Sequence, residues 1–199
     1  MKFNPILFLS IISSCFVLMH PFVQWMFIDA LTVFFAPILS LVIFGFFVIV
    51  TITTVLNWLK RKDSKPFIIQ LATLLLITLL PFQQVLLQID FNKNKKERES
   101  VVSMVYQERL DPNVSYNDRL IELPEEFKHL SKGGGEIVVE KKKGNDFILF
   151  YTFRGVLDNF SGFIYSPTDQ PPVQGDFASD LKEVKKKKNI GILSRRTNK

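Results

Sequence analysis

Hydrophobic and polar positions divide the chain near residue 89. Ahead of that point lie three long apolar runs. They are PILFLSIISSCFVLMHPFVQWMFI from Pro5, ALTVFFAPILSLVIFGFFVIVTITTVLNWL from Ala30, and PFIIQLATLLLITLLPFQQVLLQI from Pro66. Each reaches the roughly 20 residues that a helix rising about 1.5 Å per residue needs to cross a bilayer. The runs predict transmembrane helices at about 5–25, 32–57 and 66–89, with Pro37 either in a first turn or at a kink. The third must then tolerate Pro81 and the glutamines at 70, 83, 84 and 88, which suit helix packing or the interface. A secretory signal, or a lipobox around Cys15, also fits a positive start and an apolar run. Against it, Phe16 to Met19 stay apolar where a lipidated cysteine would be followed by a polar tether.

Beyond residue 89 the periodicity changes. In KKERESVVSMVYQERL, residues 95–110, Val101, Met104 and Val105 fall on one face, which predicts a short amphipathic helix. Its apolar stripe ends at Glu108, so it should pack on a sheet. RLIEL (119–123) reads as a short strand. LPEEFKHL reads as one or two helical turns opened by Pro124. EIVVEKK (136–142), DFILFYTFRG (146–155) and FSGFIYS (160–166) read as an antiparallel meander, turning at Gly144-Asn145 and at Leu157-Asp158-Asn159. In the middle strand Phe147, Leu149, Tyr151 and Phe153 share one face, and Ile148, Phe150 and Thr152 the other. An apolar pair of faces predicts a central strand covered on both sides, one of them by the amphipathic helix. PTDQPPVQGDFASD reads as a surface loop, DLKEVKKKK as an edge strand or a solvated run, and NIGILSRRTNK as a brief alternation with a basic tail. The fold class is therefore a membrane α-helical region, residues 1–89, followed by a small α+β domain with an antiparallel sheet, residues 90–199.

Charge changes this picture mainly by orienting it. The net charge of +6 is shared equally between the two halves, which speaks against one nucleic-acid patch. Lys60, Arg61, Lys62 and Lys65 crowd the loop between the second and third runs, and Lys93, Lys95, Lys96 and Arg98 follow the third. Short loops obey the positive-inside rule, while long domains translocate largely regardless of charge. The loop and Lys2 are thus expected in the cytoplasm and the C-terminal domain outside it. A single cysteine, Cys15, excludes a disulfide framework in that domain.

Candidate chemistry is sparse. His20 and His129 fall in different regions, and Glu126 with His129 makes one Glu-x-x-His pair where a helical di-metal site needs two. Lys132-Gly133-Gly134-Gly135 leads into a strand, whereas a phosphate loop leads into a helix. Arg154-Gly155-Val156-Leu157-Asp158-Asn159 gathers a cation, an anion and an amide at a hairpin mouth. Arg154 can pair with Asp158 to fix that loop. Alternatively Gly133, Gly134, Gly135, Arg154, Asp158 and Asn159 form a ligand or partner surface. No catalytic residue, cofactor or metal site is expected, and no ionisable side chain in the third run marks a transport path.

NVSYNDRLIELPEEFKHLSKGGG, then FYTFRGVLDNFSGFIYS and GDF at 175–177, resemble an uncharacterised family of small membrane proteins from Gram-positive bacteria. The resemblance implies a bacterial envelope protein and supplies no activity. The chain departs from it after the lysine run, where a frame slip from about Asn189 would replace an aromatic strand by NIGILSRRTNK. The expected function is that of a non-catalytic binding, sensing or accessory module whose partners are the lipid bilayer and other membrane or envelope components. The alternatives are a subunit of a transport or bacteriocin-immunity system and an envelope enzyme acting through Arg154, Asp158 and His129.

Overall fold

The computed structural model of the chain describes residues 4–27, 35–141, 146–155, 160–168, 172–173, 177, 183–186 and 192–195. Two units divide between Ile89 and Asp90.

In the first unit the apolar runs form α1 (Pro5–Phe27), α2 (Phe35–Arg61) and α3 (Lys65–Leu79). Asn4 caps α1, its Oδ1 accepting the Ile6 and Leu7 amides at 3.1 and 3.3 Å. Its Nδ2 donates to Asp63 Oδ2 at 2.9 Å, joining the start of α1 to the turn between α2 and α3. Pro37 falls in the first turn of α2, where a missing amide proton leaves no bond unmade. Two helices, α1 and α2, are long and apolar enough to cross a membrane, and a third crossing exists if α3 and the next helix count as one bent span.

The expected unbroken third helix is corrected here. Helix α3 stops at Leu79, and α4 runs from Phe82 to Tyr106, bent from α3 by 56°. Proline clashes with a helical predecessor and offers no amide proton, so Leu80 turns extended at φ −86, ψ 123 ahead of Pro81. The predicted 95–110 helix is the latter part of α4. It starts 13 residues earlier than expected, at Phe82, and ends at Tyr106.

The second unit holds a six-stranded antiparallel sheet in the order β1-β2-β3-β4-β6-β5. Its strands are β1 (Leu120–Glu122), β2 (Glu136–Glu140), β3 (Phe147–Arg154), β4 (Phe160–Tyr165), β5 (Glu183–Lys186) and β6 (Ile192–Arg195), with a 3-10 helix at Glu125–Leu130 between β1 and β2. The strands expected from alternation at 119–166 form, and β3 is central. The tail, expected as a brief alternation, forms a strand, since β6 inserts between β4 and β5. The turns expected at 144–145 and 157–159 lie outside the described residues.

One face of the sheet gathers Leu120, Val138, Phe147, Leu149, Phe160 and Ile164, with Val114, Tyr151 and Phe177 packed against them. On the other face α4 lies over the sheet, with Phe91 on Phe163 at 5.2 Å and Tyr106 on Tyr165 at 6.1 Å between ring centroids. Gly162 in β4 marks a close approach, since a Cβ there would strike the Phe150 carbonyl. The outer edge of β1 is closed by Asn113, which accepts the Glu122 amide at 2.7 Å and donates to its carbonyl at 3.1 Å. A side-chain carboxamide so placed imitates a neighbouring strand and blocks edge pairing.

Alternation fails at one point in β3. The register shifts between Tyr151, opposite Gly162, and Phe153, opposite Ser161. Ser161 and Gly162 are adjacent in β4 and face opposite ways, so Tyr151 and Phe153 do too. The expected sharing of one face by Phe153 with Phe147, Leu149 and Tyr151 is thus overturned by a bulge at Thr152.

Candidate functional site

The bulge determines where Arg154 goes. It brings Arg154 opposite Phe160 and onto the face of Tyr151, with its guanidinium carbon 5.3 Å from the Tyr151 ring centroid. There it pairs with Glu136, whose other carboxylate oxygen accepts the Tyr116 hydroxyl at 3.0 Å. Burial pulls the Arg154 guanidinium down, but the hydrogen bond to Glu136, the charges of Tyr151 and Glu136 and a hydrogen bond to Tyr116 together outweigh it and hold the pKa above the ordinary value. Arg154 is therefore a clasp between the ends of β2 and β3. Asp158 and Asn159, expected beside it, lie outside the described residues.

The glycine run forms the turn on which this clasp rests. Gly133, Gly134 and Gly135 all have positive φ, at 79, 114 and 75. A Cβ on Gly133 would strike Arg154 Cβ at 2.7 Å, and one on Gly135 would strike the Lys128 side chain at 2.6 Å, while Gly134 faces open space. The turn lets Ser131 and Lys132 occupy the position along β3 that Glu136 would otherwise take. Tyr151 N–H donates to Ser131 Oγ at 2.9 Å, Lys132 N–H donates to the Tyr151 carbonyl at 2.8 Å, and Ser131 Oγ–H donates to the Glu136 carbonyl. Such a run of amides in the left-handed region resembles an anion-binding nest, but here it leads into β2 and packs on Arg154 and Lys128. Lys128 bridges Glu122 at 2.9 Å and Glu125 at 2.6 Å, and those hydrogen bonds raise its pKa.

His129 does not pair with Glu126. Its Nε2 lies 2.8 Å from Glu97 Oε2 on α4, an exposed contact that joins the 3-10 helix to α4. Among the described residues no group of three or more potential metal ligands occurs.

Sequence reasoning missed the most buried charge among the described residues of this unit. Arg98 points inward from α4, with 7% of its side chain exposed, and meets Asp90 Oδ2 at 2.6 Å. It also donates to the Leu130 carbonyl at 3.3 and 3.4 Å, and its guanidinium carbon lies 4.6 Å from the Phe163 ring centroid. Burial lowers its pKa, and Asp90 opposes that shift without cancelling it. The spacing Phe91, Asn94, Arg98, Val101 carries the missed signal, one helical stripe with a cation in it.

In the first unit the buried Gln70 side chain ties α3 to α1 and α2. Its Nε2 donates to the Ser10 carbonyl at 3.0 Å and to Ser13 Oγ at 2.8 Å, and its Oε1 accepts Thr51 Oγ1–H at 2.9 Å. His20 Nε2 meets Ser40 Oγ at 2.9 Å across α1 and α2. Outward positions are apolar, with Leu41 74%, Ile49 64% and Leu79 75% exposed. Polar inside and apolar outside is the reverse of a water-soluble bundle and the arrangement that suits lipid.

No family model matches the chain, and neither a curated protein nor a solved structure is detectably similar to it.

Proposed function

We propose that the chain is an integral protein of a bacterial cell membrane, of the Gram-positive type its motifs resemble, with three spans that hold the α+β unit outside the cytoplasm. That unit works without catalysis, as a binding, sensing or accessory module of the cell envelope. The inverted polarity of the first unit carries this reading. Gln70 and Ser13 are buried while Leu41 and Leu79 are exposed, which lipid tolerates and water does not. The 15 residues of α3 cover about 22 Å, so a third crossing of a core about 30 Å thick needs the first turns of α4 as well. The Asn4 bond to Asp63 supports placing the start of α1 and the α2–α3 turn on one side of the bilayer. The four cations of that turn favour the cytoplasmic side.

For the second unit, the support is that two of its candidate groups, Arg154 and His129, are engaged in holding the fold. Arg154 clasps Glu136, and His129 meets Glu97. Among the described candidate residues, the rim of the glycine turn is open to a partner, since Gly134 is exposed. A photo-crosslinking residue at Gly134, in the full-length chain in intact cells, tests this. Adducts with an envelope component, absent when the residue is moved to Leu41, are expected. Adducts confined to Leu41, on subunits embedded in the membrane, would instead favour a transport or immunity complex. Alanine at Arg154 or His129 that abolished an envelope activity while the sheet stayed folded would favour the enzyme reading.

A further inference from the structure

The turn between α2 and α3 is more heavily charged than its structural role requires. Lys60 and Arg61 end α2, Lys62 follows, and Lys65 begins α3, and all four side chains are exposed. The one acid among them, Asp63, is engaged elsewhere, accepting from Asn4 Nδ2 at 2.9 Å and from the Lys65 backbone amide at 3.3 Å. No ion pair satisfies the four cations among the described residues.

Helix electrostatics explains only part of this. Cations at the C-terminus of α2 oppose its dipole favourably, yet Lys65 sits at the N-terminus of α3, where a cation is disfavoured. Lys62 is the residue that closes α2, its amide donating to the Trp58 carbonyl at 2.9 Å with φ at 58. Glycine adopts that left-handed conformation with about 1 kcal/mol less strain. A lysine here keeps a charge at the expense of backbone ease. Directly beneath, Trp58 and Phe67 stack with ring centroids 4.9 Å apart and planes 3° from parallel. Aromatic rings of this kind settle at the headgroup level of a bilayer.

We propose that this turn is a binding site for an anionic phospholipid of the adjoining leaflet. The phosphodiester would lie among Lys60, Arg61, Lys62 and Lys65, and the acyl region against Trp58. The proposal rests on the membrane reading above, and it names the lipid class that this part of the anchor selects.

The test uses the full-length chain carrying Trp25→Phe. The sequence has two tryptophans, so Trp58 becomes the sole one, and it is 39% exposed. The protein is reconstituted in phosphatidylcholine vesicles containing either brominated phosphatidylcholine or brominated phosphatidylglycerol, whose bromines quench tryptophan on contact. Brominated phosphatidylglycerol should quench at a mole fraction about fivefold lower, the ratio expected for one phosphate contact with an interfacial cation. Replacing all four cations (Lys60→Gln, Arg61→Gln, Lys62→Gln and Lys65→Gln) should equalise the two lipids. Replacing only the lysines by arginine should keep the preference. Quenching by brominated phosphatidylcholine in each variant verifies that the variant is inserted. Equal quenching by both lipids in the parent overturns the lipid site and leaves the membrane anchor standing. Quenching by neither overturns the anchor. Loss of the preference on adding inorganic phosphate at constant ionic strength would assign the turn to free phosphate, and that too overturns the proposal.

Discussion

Replacing Asp90 by asparagine isolates the energetics of the buried ion pair under the sheet. Arg98 and Asp90 expose 7% and 13% of their side chains and meet at 2.6 Å. At an effective dielectric constant near 20, two unit charges about 4 Å apart attract by about 4 kcal/mol, and desolvation offsets much of that. Net stabilisation by the pair is therefore small, but breaking it is not. Asp90→Asn leaves a guanidinium without a counter-charge between Phe150 and Phe163, whose ring centroids lie 6.0 and 4.6 Å away, with only neutral acceptors, the new carboxamide oxygen and the backbone carbonyls of Leu130 and position 90. The expected loss is about 3 kcal/mol, the lower end of what an orphaned buried charge costs. Removing both charges, as Asp90→Leu with Arg98→Met, should return the unit to within about 1 kcal/mol of the parent. The assay is amide hydrogen exchange of the full-length protein in lipid nanodiscs, read at Ile148 to Phe150 and at Ile164, which are buried in the sheet. Exchange that follows unfolding should quicken about a hundredfold in Asp90→Asn and little in the double variant. If Asp90→Asn exchanged like the parent, the guanidinium would have to be hydrated, and the packing of α4 on the sheet would be wrong.

Four further outcomes follow from named contacts. Gly133→Ala or Gly135→Ala should destabilise the second unit by about 2 kcal/mol or more. Gly134→Ala should destabilise it by about 1, since only backbone strain opposes it; thermal unfolding of the three variants checks the order. Gln70→Leu removes bonds to both α1 and α2 and should weaken the helical unit by about 1–2 kcal/mol, measured by detergent-induced unfolding. Burial, with Tyr165 and Asp146 adding to it, raises the Tyr106 phenol to about 12. The unfolded chain then ionises first as pH climbs from about 10, so stability present below that pH falls across the window up to about 12. Tyr106→Phe should flatten the fall, and ultraviolet titration of the parent should show a late phenol that Tyr106→Phe lacks. A cysteine at Thr168 should react with an impermeant maleimide in intact cells, and one at Asp63 only after permeabilisation. The reverse pattern would invert the proposed orientation.

What the sequence disclosed was whatever depends on local periodicity. Phe147 to Thr152 are apolar at both parities, and β3 is central with a helix over one face and Leu120 and Phe177 on the other. Pro81 also carried a readable signal, because an extended Leu80 is what a proline imposes on its predecessor, but the long apolar run masked it. Arg98 escaped notice because counting only apolar residues began the stripe at Val101, three turns too late, and left out a cation whose partner makes it a core residue. The site depended on features that no local pattern encodes. Glu136 meets Arg154 only because β2 and β3 pair in a particular register and because Thr152 bulges, reversing the parity on which the side-chain directions had been read. Glu97 meets His129, 32 residues away in the chain, across two elements, α4 and the 3-10 helix, whose mutual placement no local pattern encodes.

The central claim is that lipid surrounds the apolar exterior of α1, α2 and α3. Flotation of the full-length chain with vesicles, before and after washing in alkaline carbonate, tests it most directly. The account predicts that the protein rises with the lipid in both conditions. Recovery of folded protein in the soluble fraction, without detergent, would contradict it.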